Sequence, residues 1–72
     1  MKPVVNNLRE YRIKKGLTQL DVATHLGFKS TDRISKWESG LMYPHLINLL
    51  KLAKLYDAHA DQLYVIGCDD ER

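Results

Sequence analysis

Seventy-two residues make one domain, and a chain this short buries only roughly 60% of the surface its unfolded form exposes, so its core must be packed efficiently or braced. Cys68 is the only cysteine, which excludes an internal disulfide, and His25, His45, His59 and Cys68 offer no pair at zinc-ligand spacing, so neither a metal nor another cofactor is expected. The formal net charge is only +2 but it is uneven: residues 1–56 hold ten Lys/Arg against four Asp/Glu, and residues 57–72 hold one against five.

The basic portion can meet a polyanion while the acidic end is held away from it. A solvated surface with an acidic tail accounts for the same distribution. The opening "MKPVVNNLRE" has no apolar run long enough for a signal peptide or a membrane span, so a cytoplasmic protein with no membrane partner is expected.

Taken in order, the segments are divided by Gly16, Gly27, the Gly40–Pro44 stretch and Asp57–His59, and between these breaks apolar residues recur at three and four, the helical period. Long alternation is missing and Val and Ile are sparse, which disfavours strands. The first helix is expected over roughly Val4 to Lys15, with Leu8, Tyr11, Arg12 and Lys15 along one side. The second runs from about Gln19 to Leu26 and buries Val22, Ala23 and Leu26. Its "TQLD" start is a capping box: the Thr18 hydroxyl can accept the N–H of Asp21, and the Asp21 carboxylate can reach back. Gly27 ends it, since glycine tolerates the left-handed conformation.

The third helix is "STDRISKWESG", with Ser30 as its expected cap. The fourth, "LINLLKLAKLY", has an expected inner stripe of Leu46, Leu49, Ala53 and Tyr56, widened by Leu50 and Leu52. A short fifth helix covers about Ala60 to Val65. The expectation is an all-α, compact five-helix domain over residues 1–66, with a short acidic tail at 67–72.

The third helix is unusual. At ~100° per residue, Thr31, Asp32, Ser35, Lys36 and Ser39 cover one side, while Ile34 and Trp37 point the other way and Arg33 and Glu38 lie at the edges. Two apolar residues pin it inward. Thr, Ser and Asp on the other side are poor helix formers that stability alone would not select. A hydrogen-bonding face on a helix that follows a sharp turn suits the major groove, where base edges display donors and acceptors; a plain solvated face is the alternative.

Arg12 lies on the apolar stripe of the first helix, where an unpartnered charge would be costly. Glu38, at the core edge of the third helix, is its expected partner in a structural ion pair; separate excursions to solvent are the alternative.

The three pieces "YRIKKGLTQLDVATHLG", "ISKWESG" and "YPHLINLLKLAKLYDAHADQLY" resemble the Cro/repressor-type helix-turn-helix proteins, also called the XRE family. Their order and spacing carry the likeness over about Val4 to Tyr64. The resemblance implies a lambda-repressor-like fold with the helix-turn-helix at about 19–38, and DNA-binding residues Gln19, Lys29, Ser30, Thr31, Asp32, Ser35, Lys36, Met42 and Tyr43. In that scheme Gln19 contacts a phosphate, and Ser30, Thr31, Asp32 and Lys36 fall where bases are read. Ser35 touches the DNA backbone, and Met42 and Tyr43 bring loop N–H groups toward phosphate. It also implies the Arg12–Glu38 pair. Three departures stand out. The turn "GFKS" is one residue longer than the commonest form. Asp32 is acidic. His45 and His59 occupy the cap positions of the fourth and fifth helices, where a neutral imidazole can accept an N–H.

Apolar residues are left over. Ile47 and Leu55 point away from the expected inner stripe, Leu20, Leu41 and Met42 are expected to be exposed, and Leu63, Tyr64, Val65 and Ile66 run together. A small domain always leaves some apolar surface exposed; a homodimer contact through Leu63, Tyr64, Val65 and Ile66 is the alternative that the resemblance favours.

The function expected is a sequence-specific, double-stranded-DNA-binding transcriptional regulator, a small dimeric repressor reading the major groove with residues 30–38. Arg9, Lys14, Lys15, Lys29 and Lys36 would supply phosphate attraction. An antitoxin with a toxin partner, or a restriction-controller protein, would use the same fold. A protein-interaction module on this scaffold would show no salt-dependent DNA binding. No nucleophile–base or carboxylate pair is marked out, so an enzyme is not expected.

Overall fold

Five helices follow one another through residues 6–64, the part of the chain that this computed structural model describes: α1 Leu8–Lys14, α2 Gln19–Leu26, α3 Asp32–Ser39, α4 Leu46–Leu55 and α5 Ala60–Leu63. The fold is all-α. The β-type pairing among the described residues is one antiparallel bridge between Asn6 and Tyr64.

That bridge explains why α1 begins at Leu8 and not near Val4, a residue outside the described part. Asparagine side chains compete with helical hydrogen bonding. Here Asn6 Oδ1 accepts from the Leu8 N–H at 3.1 Å while its Nδ2 donates to the Trp37 carbonyl at 3.0 Å. Asn7 donates through its backbone N–H to the Leu63 carbonyl at 2.8 Å and through Nδ2 to the Gln62 carbonyl at 3.0 Å. The two asparagines tie the first and last described segments to each other and to α3.

The first four helices end alike. After α2, the Phe28 N–H donates to the Ala23 carbonyl at 2.8 Å and the Gly27 N–H to Thr24 at 3.1 Å, the Schellman arrangement that requires a left-handed residue. Gly27 supplies it with φ 83°, and no heavy atom lies within 4 Å of where a Cβ would stand. Gly16 and Gly40 do the same for α1 and α3, and Asp57, with φ 54°, does it for α4 without being glycine. At the start of α2, Thr18 Oγ1 accepts the Asp21 N–H at 3.0 Å and Asp21 Oδ2 accepts the Thr18 N–H at 2.9 Å, as "TQLD" predicts. Those bonds favour the ionised carboxylate and lower the pKa of Asp21.

Leu8, Val22, Ala23, Leu26, Ile34, Trp37, Leu52, Tyr56 and Leu63 form the buried core, with Tyr11, Leu17, Phe28, Leu49, Ala53 and Leu55 among those packed around it. Three sequence expectations are corrected here. Leu46 and Leu50 are not on the inner stripe: they are 66% and 50% exposed, because the buried side of α4 is rotated toward Leu52 and Tyr56, with Leu49 and Leu55 on either flank. Leu55 packs against the core where an outward position was expected. Leu63 is 0% exposed, so it belongs to the core and cannot be a dimer surface. Tyr64 is half-buried, and the other two residues of that predicted contact, Val65 and Ile66, lie outside the described part.

The histidine cap at α4 is corrected: the His45 side chain makes no capping bond. At α5 His59 and Gln62 form a capping box, with Gln62 Oε1 accepting the His59 N–H at 2.8 Å. Among the described residues no helix is long and apolar enough to cross a membrane, and no group of three His, Cys, Asp or Glu residues stands close enough to hold a metal ion.

Candidate nucleic-acid interface

α3 is set in place by its inner side. Ile34 and Trp37 are buried, and the Phe28 ring meets Trp37 edge-on at 5.7 Å and 69°, so the α2–α3 turn is packed against the helix it introduces. Asp32, Ser35, Lys36 and Ser39 are exposed on the opposite side, and nothing in the described chain covers that face. Lys29 and Ser30 are exposed just ahead of it and Thr31 is half-buried.

The start of α3 differs from the sequence expectation by one position. Thr31 precedes the first helical residue and makes no side-chain cap. Ser30 is one residue too early to be the cap, and its Oγ only receives the Asp32 N–H at a long 3.5 Å.

A part-buried polar cluster holds α3 at its other end. Arg12 Nε donates to Glu38 Oε2 at 2.6 Å and Nη2 to Oε1 at 3.3 Å, while Nη1 donates to the Leu17 carbonyl at 2.9 Å. The two side chains are only 11% and 6% exposed. The hydrogen bond to Glu38 raises the Arg12 pKa further above its ordinary value, against the opposing effect of burial. Gln19 completes the cluster, its Nε2 donating to Glu38 Oε1 at 3.0 Å. Arg12 thus joins α1, the α1–α2 turn and α3, and Gln19 adds the first turn of α2. Tyr56 lies alongside: burial first, and then the charge of Glu38, push its phenol up to about 12.

The other expected contact residues lie on the α3–α4 loop. Met42 and Tyr43 are exposed. The Met42 N–H turns back to the Lys36 carbonyl at 3.3 Å, whereas the Tyr43 N–H has no partner among the described residues. Tyr43 leans toward Tyr64, with ring centroids 6.1 Å apart.

Three contacts were not foreseen from the residues alone: the inward bond of Gln19, the grip of Asn6 on the Trp37 carbonyl, and a stack of Arg33 over Phe28 with the guanidinium carbon 4.7 Å from the ring centroid. The last had a sequence signal, an aromatic residue placed in a turn that is one residue longer than usual.

The helix-turn-helix pattern matches residues 8–63. The chain is 39% identical over 56 residues to an HTH-type transcriptional activator, BcrR, of Enterococcus faecalis; the match covers 78% of this chain and 27% of that protein, so the chain spans about a quarter of its relative's length. Among solved structures, a Bacteroides fragilis protein described as DNA-binding superposes with a TM-score of 0.74 at 30% identity, over 85% of this chain and 97% of the other. The restriction-modification controller protein C.AhdI of Aeromonas hydrophila superposes with a TM-score of 0.66 at 34% identity, over 78% and 83%. With the match running from the first residue of α1 to the last of α5, the chain belongs to the helix-turn-helix family.

Proposed function

We propose that this chain is a sequence-specific DNA-binding transcriptional regulator that lays α3 in the major groove and acts as a repressor by occupying a promoter. The observation that carries the reading is the two-sidedness of α3: Ile34 and Trp37 are buried, while Asp32, Ser35 and Lys36 stand free. In this reading Ser30, Thr31 and Lys36 meet base edges. Lys29, Ser35, the Tyr43 N–H and the more distant Arg9, Lys14 and Lys15 supply phosphate contacts. Gln19 reaches phosphate through the second N–H of its side-chain amide or by exchanging its bond to Glu38; its present role is to steady α3. Asp32 accepts from a cytosine amino group or favours the start of α3.

A homodimer on a palindromic site goes with this reading, since two copies would present two α3 helices about one helical turn of DNA apart. The exposed Tyr43, Leu46, Ile47 and Leu50 supply apolar surface of the kind that marks protein contacts. The cytoplasm is the compartment in which such a regulator works. Control of a restriction-modification operon is the second reading, favoured by the likeness to a restriction controller.

Selection of bound sites from random duplexes tests the function. A palindromic consensus is expected, with Lys36→Ala and Thr31→Ala binding it more weakly by about 1–3 kcal/mol each. Recovery of no preferred sequence, with both variants behaving as the parent, would leave a protein-interaction module as the better account.

A further inference from the structure

The α2–α3 turn carries a feature that base reading does not use. Gly27, Phe28, Lys29, Ser30 and Arg33 line one surface hollow beside the start of α3. Arg33 is exposed, yet its guanidinium lies 4.7 Å from the centroid of the Phe28 ring. Phe28 is itself held, edge-on against buried Trp37 at 5.7 Å. Stacking on a fixed ring restricts a side chain that would otherwise lose considerable rotamer freedom on binding, and it leaves the in-plane N–H groups of the guanidinium free for another acceptor. Arg33 has no carboxylate partner among the described residues. Asp32 precedes it but is not among the residues lining the hollow. The hollow therefore presents one planar cation, a second cation from Lys29 and the hydroxyl of Ser30, with no acidic side chain in its wall.

We propose that this hollow is a phosphate clamp: it seats one backbone phosphate of the DNA at the flank of α3, gripped by Arg33 and assisted by Lys29. Phe28 is a positioning residue that acts through Arg33. The clamp rests on the DNA-binding reading above and adds a contact that sets register without reading sequence.

The test uses the full chain and a duplex taken from the site selection, with binding measured across a range of salt concentrations. Arg33→Ala is expected to weaken binding about tenfold on every duplex sequence and to lower the magnitude of the salt slope by about 0.9, the value of one lost phosphate contact. Arg33→Lys keeps the charge but not the planar fork, and Phe28→Leu keeps the apolar volume but not the ring; each is expected to lose most of the same affinity. A methylphosphonate at the clamped position should weaken the parent chain and leave Arg33→Ala unaffected. Unchanged affinity and slope in Arg33→Ala, while Lys36→Ala binds poorly, would overturn the clamp and leave DNA reading intact. A loss confined to one base pair would overturn it too, by making Arg33 a base reader. A parent chain that binds no duplex would overturn both.

Discussion

Glu38 accepts three hydrogen bonds in a setting almost closed to water, two from Arg12 and one from Gln19. A buried pair of this kind gives little net stability compared with apolar residues of similar shape, but leaving one partner alone is costly. Glu38→Ala should therefore destabilise the fold by about 3 kcal/mol, whereas the double variant Arg12→Met with Glu38→Leu should cost less than that single change. Denaturant melts of the four chains in the cycle measure the coupling; strict additivity would show that the two side chains act separately. Tyr56 gives the same site a pH signature. Its folded pKa is raised to about 12, above the unfolded value of ~10, so its contribution is complete below pH ~10 and is lost as pH climbs toward about 12, where the unfolded chain releases the proton more readily. Tyr56→Phe should flatten that alkaline limb in pH-dependent unfolding. Arg12 could be placed at the cluster from sequence because a charge on an apolar stripe needs a partner. Gln19 could not, because an amide at the first turn of a helix is equally at home in solvent, and only the folded distance to Glu38 decides.

At the scale of the element, how a helix ends was easier to read than where it begins. Gly16, Gly27 and Gly40 mark three ends by their chemistry, and all three carry positive φ. The starts of α1 and α3 were misplaced because Asn6, Asn7 and Ser30 can bond in several local ways, and tertiary partners chose among them. The inner face of α4 differs from expectation at Leu46, Leu50 and Leu55 for another reason: with leucines nearly all round the helix, periodicity does not say which side the core takes. Asp57 is the exception among the helix ends. It holds a left-handed φ of 54° in return for a long 3.9 Å approach to Lys15 in which its side chain is 88% exposed, an ion pair of small value. Asp57→Gly should raise stability by about 0.5 kcal/mol, seen as a higher denaturation midpoint with an unchanged slope. A lower midpoint would mean that the Lys15 contact outweighs the backbone strain.

For the molecule as a whole, the class of fold and the side of α3 turned outward were legible because binary patterning specifies them. The assignment of Leu63 to a contact between copies was not sound, since four apolar residues in a row have no periodicity to say which of them faces in. Three of the exposed apolar side chains, Leu46, Ile47 and Leu50, come from the helix whose composition is too uniformly apolar to divide by pattern.

Asn6 and Tyr64, almost the full described length apart along the chain, are paired side by side. The path of the backbone is thus nearly a closed ring, and where it is cut is a matter of history more than of mechanics. A circular permutant that joins Tyr64 to Asn6 through a few glycines and opens instead between Tyr43 and His45 should fold with the same order of helices in space, as a matching far-ultraviolet spectrum and cooperative melt would register.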